Sequence, residues 1–271
     1  MEMKLYISAD IEGVAGVVHG EHTARDGREH DRARLLMTEE VNACIRGALS
    51  VGVSEIVVND SHGTMRNLLP ELLHPEAELI SGSPKKLAMV EGLDETFDAA
   101  IFLGYHTKKG DFGLLNHTFN GKVVRSIVVN GKEYGEFGLN ALVAGHFGIP
   151  VICVSGCDRL ALEARELIPM INTAVVKQTI NQFTAKSVHP KKAQEMIESE
   201  TQKSWKNREN IVPCSIEGPV SVEMTFNTTG YAENAAILPV VEQIDPSTVS
   251  FKANNIIEGY RFIRSLIMIA S

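Results

Sequence analysis

The chain has 271 residues, of which 44% are hydrophobic, so it can bury a substantial core as one large domain or two modest ones. Its formal net charge of −8 argues against a general nucleic-acid binder, which needs clustered Lys and Arg to neutralise phosphates. No segment approaches the roughly 18 consecutive apolar residues of a membrane span, and Met1 to Lys4 lead into a strand rather than a signal peptide, so we expect a cytoplasmic protein without a membrane partner.

Short apolar runs alternate with helical patterns along the first two thirds of the chain. Five apolar or β-branched runs predict strands, at Lys4 to Ala9, Glu55 to Asn59, Asp98 to Gly104, Val151 to Ser155 and Ala174 to Thr179. Apolar residues at three- and four-residue steps predict helices from Ala33 to Ala48, Glu136 to Phe147 and Asp158 to Leu167. This alternation is typical of βαβ units, so we expect an α/β fold with a mostly parallel sheet flanked by helices.

Two regions depart from that order. Lys122 to Glu133 contains the tight-turn pair Asn130-Gly131 and predicts an inserted hairpin. After about residue 180 the pattern predicts a polar helix from His189 to Asn207, an alternating strand from Val220 to Phe226 and a C-terminal helix from about Asn255 to Ile269. We therefore expect an α/β core over residues 1–180 and a smaller α+β lobe over residues 181–271, packed on the core.

The cysteines are too few and too scattered for a disulfide framework. Their positions are Cys44, Cys153, Cys157 and Cys214. A reducing compartment fits this distribution, and we expect Cys153 and Cys157 to be buried packing residues rather than metal ligands.

The first predicted strand ends in two carboxylates, Asp10 and Glu12, followed by Gly13. Because side chains alternate along a strand, both carboxylates would point the same way, and the glycine would let the backbone turn sharply. Two carboxylates on one face repel each other unless a cation lies between them. A metal site is therefore the first hypothesis for this end of the strand.

Two histidines follow other predicted strands of the same sheet. His62 comes shortly after the second strand, and His106 comes directly after the third. In open α/β sheets, ligands collect at the carboxyl ends of the strands, so these histidines are candidates to join Asp10 and Glu12. A mixture of imidazole and carboxylate ligands suits Zn²⁺ better than Mg²⁺, which prefers oxygen ligands.

Two further residues are open to more than one interpretation. Glu136 begins a predicted helix, so it is either a further metal ligand or a first-turn carboxylate that interacts with the helix dipole. His117 lies in a polar loop and is either an acid–base group or an exposed residue.

The ordered motifs together resemble the zinc-dependent D-aminopeptidase family of the dipeptide-transport type. They are Ser8 to Gly13, Asn59 to Gly63, Gly104 to His106, Asn116 to Thr118, and Asn130-Gly131 followed by Gly135 to Ala141. The resemblance covers much of the chain and becomes weaker after about residue 185.

The resemblance implies a specific site and activity. Asp10 would bridge two zinc ions per subunit, with Glu12 and His106 completing one metal site and His62 and Glu136 the other. His117 corresponds to the catalytic histidine of the family. The implied activity is removal of the N-terminal residue from short D-amino-acid peptides such as D-Ala-D-Ala, by a homodecamer whose active sites face an inner cavity. Residues 1–180 would then be the metal-binding catalytic core.

Four residues outside the ligand set bear on the substrate. Cys157 stands where the family pattern has an aspartate, which places substrate preference in doubt but leaves every expected ligand unchanged. Asp60 and Asp158 are candidates to bind the α-ammonium group of a peptide. Lys177 is a candidate either to bind a substrate carboxylate or to form a structural pair.

Two other functions are compatible with the opening motif. Magnesium-dependent phosphohydrolases carry an Asp-x-Asp after their first strand, whereas here the second acid is Glu12 and histidines end the neighbouring strands. A non-catalytic, peptide-binding ring subunit is the third hypothesis, and the intact set of five expected ligands argues against it.

Overall fold

The structure is a computed structural model that describes residues 3–270. Met1 and Glu2, which we expect from the sequence to lead into the first strand, lie outside the described residues. The strands are β1 Lys4–Ala9, β2 Glu55–Asp60, β3 Ala77–Ile80, β4 Ala99–Tyr105, β5 Val124–Val129, β6 Lys132–Glu133, β7 Val151–Cys157, β8 Asn172–Asn181, β9 Thr184–Ser187, β10 Val220–Phe226, β11 Glu242–Asp245 and β12 Thr248–Ala253. The helices are α1 Gly20–Thr23, α2 His30–Ser50, α3 Glu136–His146, α4 Asp158–Leu167, α5 Pro190–Asn207, α6 Thr229–Ala235 and α7 Ile256–Ala270.

A seven-stranded sheet forms the centre of the molecule, in the order β3-β2-β1-β4-β7-β8-β9. All neighbouring pairs are parallel except β8 and β9, which form an antiparallel hairpin. Every residue of β4 and β7 is buried, as expected for parallel strands covered by helices. The expected α/β fold with a mostly parallel sheet flanked by helices is confirmed.

A second, antiparallel sheet has the order β11-β12-β10-β5-β6. The predicted hairpin is present as β5 and β6, and its turn residues Asn130 and Gly131 have φ of 50° and 80°. These left-handed values are typical of a two-residue hairpin turn. The long strand of the hairpin pairs with β10, so this sheet joins segments about ninety residues apart, as in the pair Val129 and Val222. The division at residue 180 stays a prediction.

The predicted helices and strands are present, and the cysteines form no disulfide framework, as expected. Several short elements were not predicted. The missed elements are β3, β9, β11, β12, α1 and α6. β11 is fully exposed and β3 is only partly buried, and neither carries the apolar alternation that predicts a strand. All four cysteines are free, and Cys44, Cys153 and Cys157 are buried.

Candidate metal centre

Three neighbouring strands carry the predicted acids and histidines to one edge of the parallel sheet. β1 lies between β2 and β4, and the three strands run parallel. Asp10 directly follows β1, His62 comes two residues after β2, and His106 directly follows β4. The carboxyl ends of the strands therefore meet where the sequence predicted a shared site.

The chain after β1 runs unusually close to β4. The Asp10 amide donates to the Leu103 carbonyl at 2.8 Å, and the Gly13 amide donates to the Gly104 carbonyl at 2.7 Å. A Cβ atom at Gly104 would overlap the Asp10 carbonyl oxygen, and one at Gly13 would overlap the carbonyl oxygen of Tyr105. The turn predicted at Gly13 is present, since the Val14 amide donates to the Ile11 carbonyl at 3.1 Å, but Gly13 does not have a positive φ, and the close contact is the reason for a glycine there.

Asp10 and Glu12 converge on the same imidazole nitrogen. The Nδ1 atom of His62 lies 3.2 Å from Asp10 Oδ1 and 3.0 Å from Glu12 Oε2. The other ring nitrogen of His62, Nε2, lies 2.9 Å from the Thr23 carbonyl oxygen. Donation of the Nε2 proton to that carbonyl would fix the ring and leave Nδ1 to face the carboxylates, which is the usual arrangement of a metal-binding histidine.

His106 and Glu136 form the other side of the site. The His106 Nε2 atom lies 3.6 Å from Asp10 Oδ2 and 3.5 Å from Glu136 Oε1. The Nδ1 atom of His106 lies 3.0 Å from the Thr107 carbonyl oxygen, so this ring is also oriented by backbone. Glu136 is the first residue of α3, as the sequence predicts, and its side chain is buried beside His106, where a metal ligand is required.

His117 reaches the site from the loop before β5. Its ring stacks on His106 with 4.2 Å between centroids, and its Nε2 atom lies 3.7 Å from Glu136 Oε1. Its Nδ1 atom lies 2.9 Å from the Leu115 carbonyl oxygen. Because only 25% of the side chain is exposed, the interpretation of His117 as an exposed loop residue is wrong.

The buried ligands contain polar atoms that the protein itself does not satisfy. Asp10 Oδ2, Glu12 Oε2 and His106 Nε2 are buried and have no hydrogen bond of good geometry, although Glu12 Oε2 lies 3.0 Å from His62 Nδ1. Burying such atoms is costly unless something else binds them. Ligand atoms of Asp10, Glu12 and His106 lie within 4.8 Å of one another, and so do those of His106, His117 and Glu136. The residues present therefore fit a divalent cation of the zinc type.

The acids and histidines of the site shift one another's pKa values. Burial, followed by the charge of Glu12, raises the pKa of Asp10 to about 7. Burial also raises the pKa of Glu12, but the neighbouring histidines more than offset it and hold this pKa well below its usual range. Burial lowers the pKa of His62 and His106, but the carboxylates outweigh it, bringing the pKa of His106 to about 10. The carboxylates thus attract positive charge, which a metal ion would supply in place of protons.

A cavity of about 90 Å³ lies beside these ligands. Its lining comprises Asp10, Ser61, His62, Gly63, Met65, Met89, His117, Phe119, Glu136 and Arg264. Sequence reasoning missed Met89, Phe119 and Arg264, because nothing in their local pattern distinguishes them from packing or surface residues. Phe119 also donates its amide to Glu136 Oε1 at 2.6 Å, so it helps to fix that carboxylate.

The residues considered for substrate binding do not line this cavity. Lys177 is buried and donates to the carbonyl oxygens of Glu12 at 2.5 Å and Val17 at 2.8 Å. Its role is structural, because it fixes the segment that carries the first two acids. Asp158 Oδ1 accepts the Thr179 amide at 2.7 Å, so it too is used within the fold.

Asp60 and Cys157 also serve local structure. The Asp60 carboxylate accepts the backbone amides of Asn67 and Leu68, which makes it unsuitable as an ammonium-binding group. Cys157 precedes α4, and its sulfur accepts the Leu160 amide at 3.5 Å as the cap of that helix. The departure from the family pattern at Cys157 therefore affects a helix start rather than a ligand.

Three buried carboxylates and one buried and two partly buried histidines at the carboxyl edge of a parallel sheet define a metal-dependent hydrolase. The family model described as D-aminopeptidase matches residues 3–265. A D-aminopeptidase of Bacillus subtilis (strain 168) is 42% identical over 260 residues, which cover 96% of this chain and 94% of that protein. The chain therefore belongs to the D-aminopeptidase family.

A solved structure agrees with this assignment. The Zn-dependent D-aminopeptidase DppA from Bacillus subtilis, described as a self-compartmentalizing protease, has a TM-score of 0.97 and 41% identity, with 99% of this chain and 98% of that chain covered. The expected family and enzyme class, a metallo-aminopeptidase, are confirmed. Within residues 3–270 there is no helix with the length and apolarity needed to span a bilayer.

Proposed function

We propose that this protein is a binuclear zinc aminopeptidase that removes the N-terminal residue of short D-amino-acid peptides such as D-Ala-D-Ala. The proposal depends on the buried carboxylates of Asp10, Glu12 and Glu136, which lie among the imidazoles of His62 and His106. Buried polar atoms on both sides of Asp10 lack hydrogen bonds of good geometry. Zinc dependence in the DppA structure, at 41% identity and TM-score 0.97, supports the choice of metal.

The ligand set is consistent with two zinc ions sharing Asp10. Its two oxygens face different histidines, since Oδ1 lies 3.2 Å from His62 and Oδ2 lies 3.6 Å from His106. By the family resemblance, Glu12 and His106 would complete one metal site, and His62 and Glu136 would complete the other. The grouping of Asp10, Glu12 and His106 within 4.8 Å supports the first site, whereas His62 lies nearest to Glu12 and His106 is also close to Glu136. Three carboxylates and two neutral imidazoles would leave two divalent ions with one excess positive charge, which a hydroxide would cancel.

The chemistry supplied by bound zinc is acidification of a water molecule and polarisation of the scissile carbonyl. The protein contributes the fixed positions of the ligands and a small cavity that limits access of solvent. Backbone carbonyls of Thr23 and Thr107 orient the two ligand histidines, at 2.9 Å and 3.0 Å. Lys177 donates a hydrogen bond to the carbonyl of Glu12 and so fixes the backbone of that segment.

His117 is the proposed proton-transfer residue. If its Nδ1–H donates to the Leu115 carbonyl 2.9 Å away, Nε2 carries the lone pair and lies at the cavity. From this position, Nε2 would accept the proton that the attacking water loses and then deliver it to the leaving amine when the peptide bond breaks. Stacking on His106 fixes the ring plane and limits the directions in which the proton is delivered.

Membership of the D-aminopeptidase family supports the proposed substrate class. We also propose a self-compartmentalizing homo-oligomer, a decamer by family resemblance, located in the cytoplasm. The description of the DppA structure as self-compartmentalizing and the exposed apolar side chains Phe112, Ile180 and Phe183 support assembly.

Asp10→Asn tests the proposal, with Asp31→Asn as a matched control. Asp31 undergoes the same chemical change at a side chain that is 98% exposed on α2. We expect Asp10→Asn to lose D-Ala-D-Ala hydrolysis and bound zinc while keeping its circular dichroism spectrum, and Asp31→Asn to behave like the unsubstituted protein. Full activity and two bound zincs in Asp10→Asn would refute the proposal.

The choice between zinc and magnesium is tested in protein stripped of metal by a chelator. We expect zinc to restore release of D-alanine and magnesium not to restore it, because two buried imidazoles are poor magnesium ligands. Restoration by magnesium together with hydrolysis of a phosphate ester would favour the phosphohydrolase hypothesis instead.

A further inference from the structure

Arg264 brings a permanent positive charge to the wall of the metal-site cavity. It lies on α7, more than a hundred residues beyond the last proposed ligand, and it is half-buried. The remaining charged or titratable side chains described in the lining are Asp10, His62, His117 and Glu136, all of which belong to the proposed metal site or its proton transfer. Arg264 is therefore the one lining charge, among the described residues, that the proposed chemistry does not use.

The guanidinium of Arg264 has no carboxylate partner among residues 3–270. The contact that holds it is with an aromatic ring, since its central carbon lies 4.9 Å from the ring centroid of Phe119. Phe119 is in turn fixed by an edge-on contact with Tyr260, at 5.8 Å between centroids, and by its amide bond to Glu136. Stacking on an aromatic face orients a guanidinium and leaves its N–H edge available for a ligand.

The position of Arg264 marks the mouth of the cavity. Arg264, Gly63 and Phe119 line both the inner cavity and an outer depression of about 610 Å³. A group bound at Arg264 would therefore lie beyond the metal ligands, on the way out to solvent. In a peptide whose scissile bond lies at the metals, this is the place of the leaving residue rather than of the N-terminal residue.

The chemistry of a short peptide supplies a partner for this cation. A free dipeptide carries an ammonium group at one end and a carboxylate at the other, and the carboxylate lies on the leaving residue. Arginine binds carboxylates through two parallel N–H···O bonds, which fix orientation as well as charge. We propose that Arg264 binds the C-terminal carboxylate of the substrate and so makes the enzyme selective for short peptides with a free C-terminus. This inference rests on the proposed aminopeptidase function.

Paired substrates test the role of Arg264. D-Ala-D-Ala carries the carboxylate, and D-Ala-D-Ala amide lacks it but has the same scissile bond. We expect Arg264→Met to lower kcat/KM for D-Ala-D-Ala by on the order of tenfold or more, mainly through KM, because a charge-assisted bond is lost. The same variant should leave kcat/KM for the amide within about twofold, and Arg264→Lys should retain part of the preference for the acid.

Arg261→Met is the matched control, since Arg261 is exposed on the same helix and lines a different depression together with His146 and Glu258. It should leave both substrates unaffected. A second measurement avoids turnover: calorimetry in a His117→Ala background should show weaker binding of D-Ala-D-Ala, but not of its amide, when Arg264→Met is added. Zinc content should be the same in all of these proteins.

The outcomes separate the two proposals. An equal loss on both substrates, or no loss on either, would overturn the role of Arg264 and leave the aminopeptidase function standing. Failure of the unsubstituted, zinc-loaded protein to cleave either substrate would refute the proposed function, and the role of Arg264 would fall with it.

Discussion

The close approach of β1 and β4 gives the sharpest prediction about the metal centre. Gly104 has φ of +67°, and a Cβ atom there would overlap the Asp10 carbonyl oxygen. For Gly104→Ala, the left-handed conformation costs about 1 to 2 kcal/mol. Relief of the overlap adds about 1 to 3 kcal/mol, because backbone on both sides must shift. We therefore expect a loss of about 2 to 5 kcal/mol in the free energy of unfolding, together with reduced zinc binding.

Gly148→Ala separates backbone strain from displacement of Asp10. Gly148 has φ of +74°, but a Cβ atom there meets nothing within 4 Å. This variant should lose only the conformational part, about 1 to 2 kcal/mol, and keep its full zinc content. Urea unfolding followed by circular dichroism measures the stability, and elemental analysis measures the zinc. Equal stability losses and full zinc in both variants would refute the claim that this contact positions Asp10.

Two further predictions concern Lys177 and Glu40, which lie away from the cavity wall, and a third concerns removal of the metal. Lys177→Met leaves the carbonyls of Glu12 and Val17 without their donor, so urea unfolding should show a loss of about 2 to 4 kcal/mol and elemental analysis less zinc. Unchanged zinc affinity would contradict its positioning role. Burial raises the pKa of Glu40 to about 7. The contribution of the protonated side chain to the free energy of unfolding is therefore complete below the pKa of the unfolded chain and falls as pH rises towards 7. Relative to the unsubstituted protein, Glu40→Gln should therefore gain about 2 kcal/mol in the free energy of unfolding between pH 5 and pH 7, and parallel pH profiles would exclude this. Removal of zinc by a chelator should lower Tm, and added zinc but not magnesium should restore it; an unchanged Tm would argue against a metal that binds only the folded state.

The ligands at the strand ends could be predicted because the carboxyl ends of neighbouring parallel strands meet at one edge of the sheet. Each of the segments containing Asp10, His62 and His106 comes after an apolar run, and parallel strands place such ends at one edge. Glu136 needed the family resemblance, because a carboxylate in the first turn of a helix has an ordinary structural explanation. Its actual position depends on how α3 packs beside β4, which local sequence does not determine.

Other features depend on contacts between distant segments. The hairpin β5–β6 was predicted locally, but its pairing with β10 joins residues such as Ile127 and Met224, and no local pattern specifies that partner. Arg264 similarly reaches the cavity only because α7 packs where it does, and in the sequence it is one charge on an amphipathic helix. Gly13 was correctly predicted to lie in a turn, but the need for a glycine comes from the Tyr105 carbonyl of a neighbouring strand, which local sequence does not reveal.

Titration of metal-free protein with zinc, followed by release of D-alanine from D-Ala-D-Ala, tests the central claim most directly. Two metals bridged by Asp10 predict that activity rises with added zinc and reaches its plateau at two equivalents per chain. Absence of D-alanine at every zinc ratio, or a rate that does not depend on zinc, would contradict a binuclear zinc aminopeptidase.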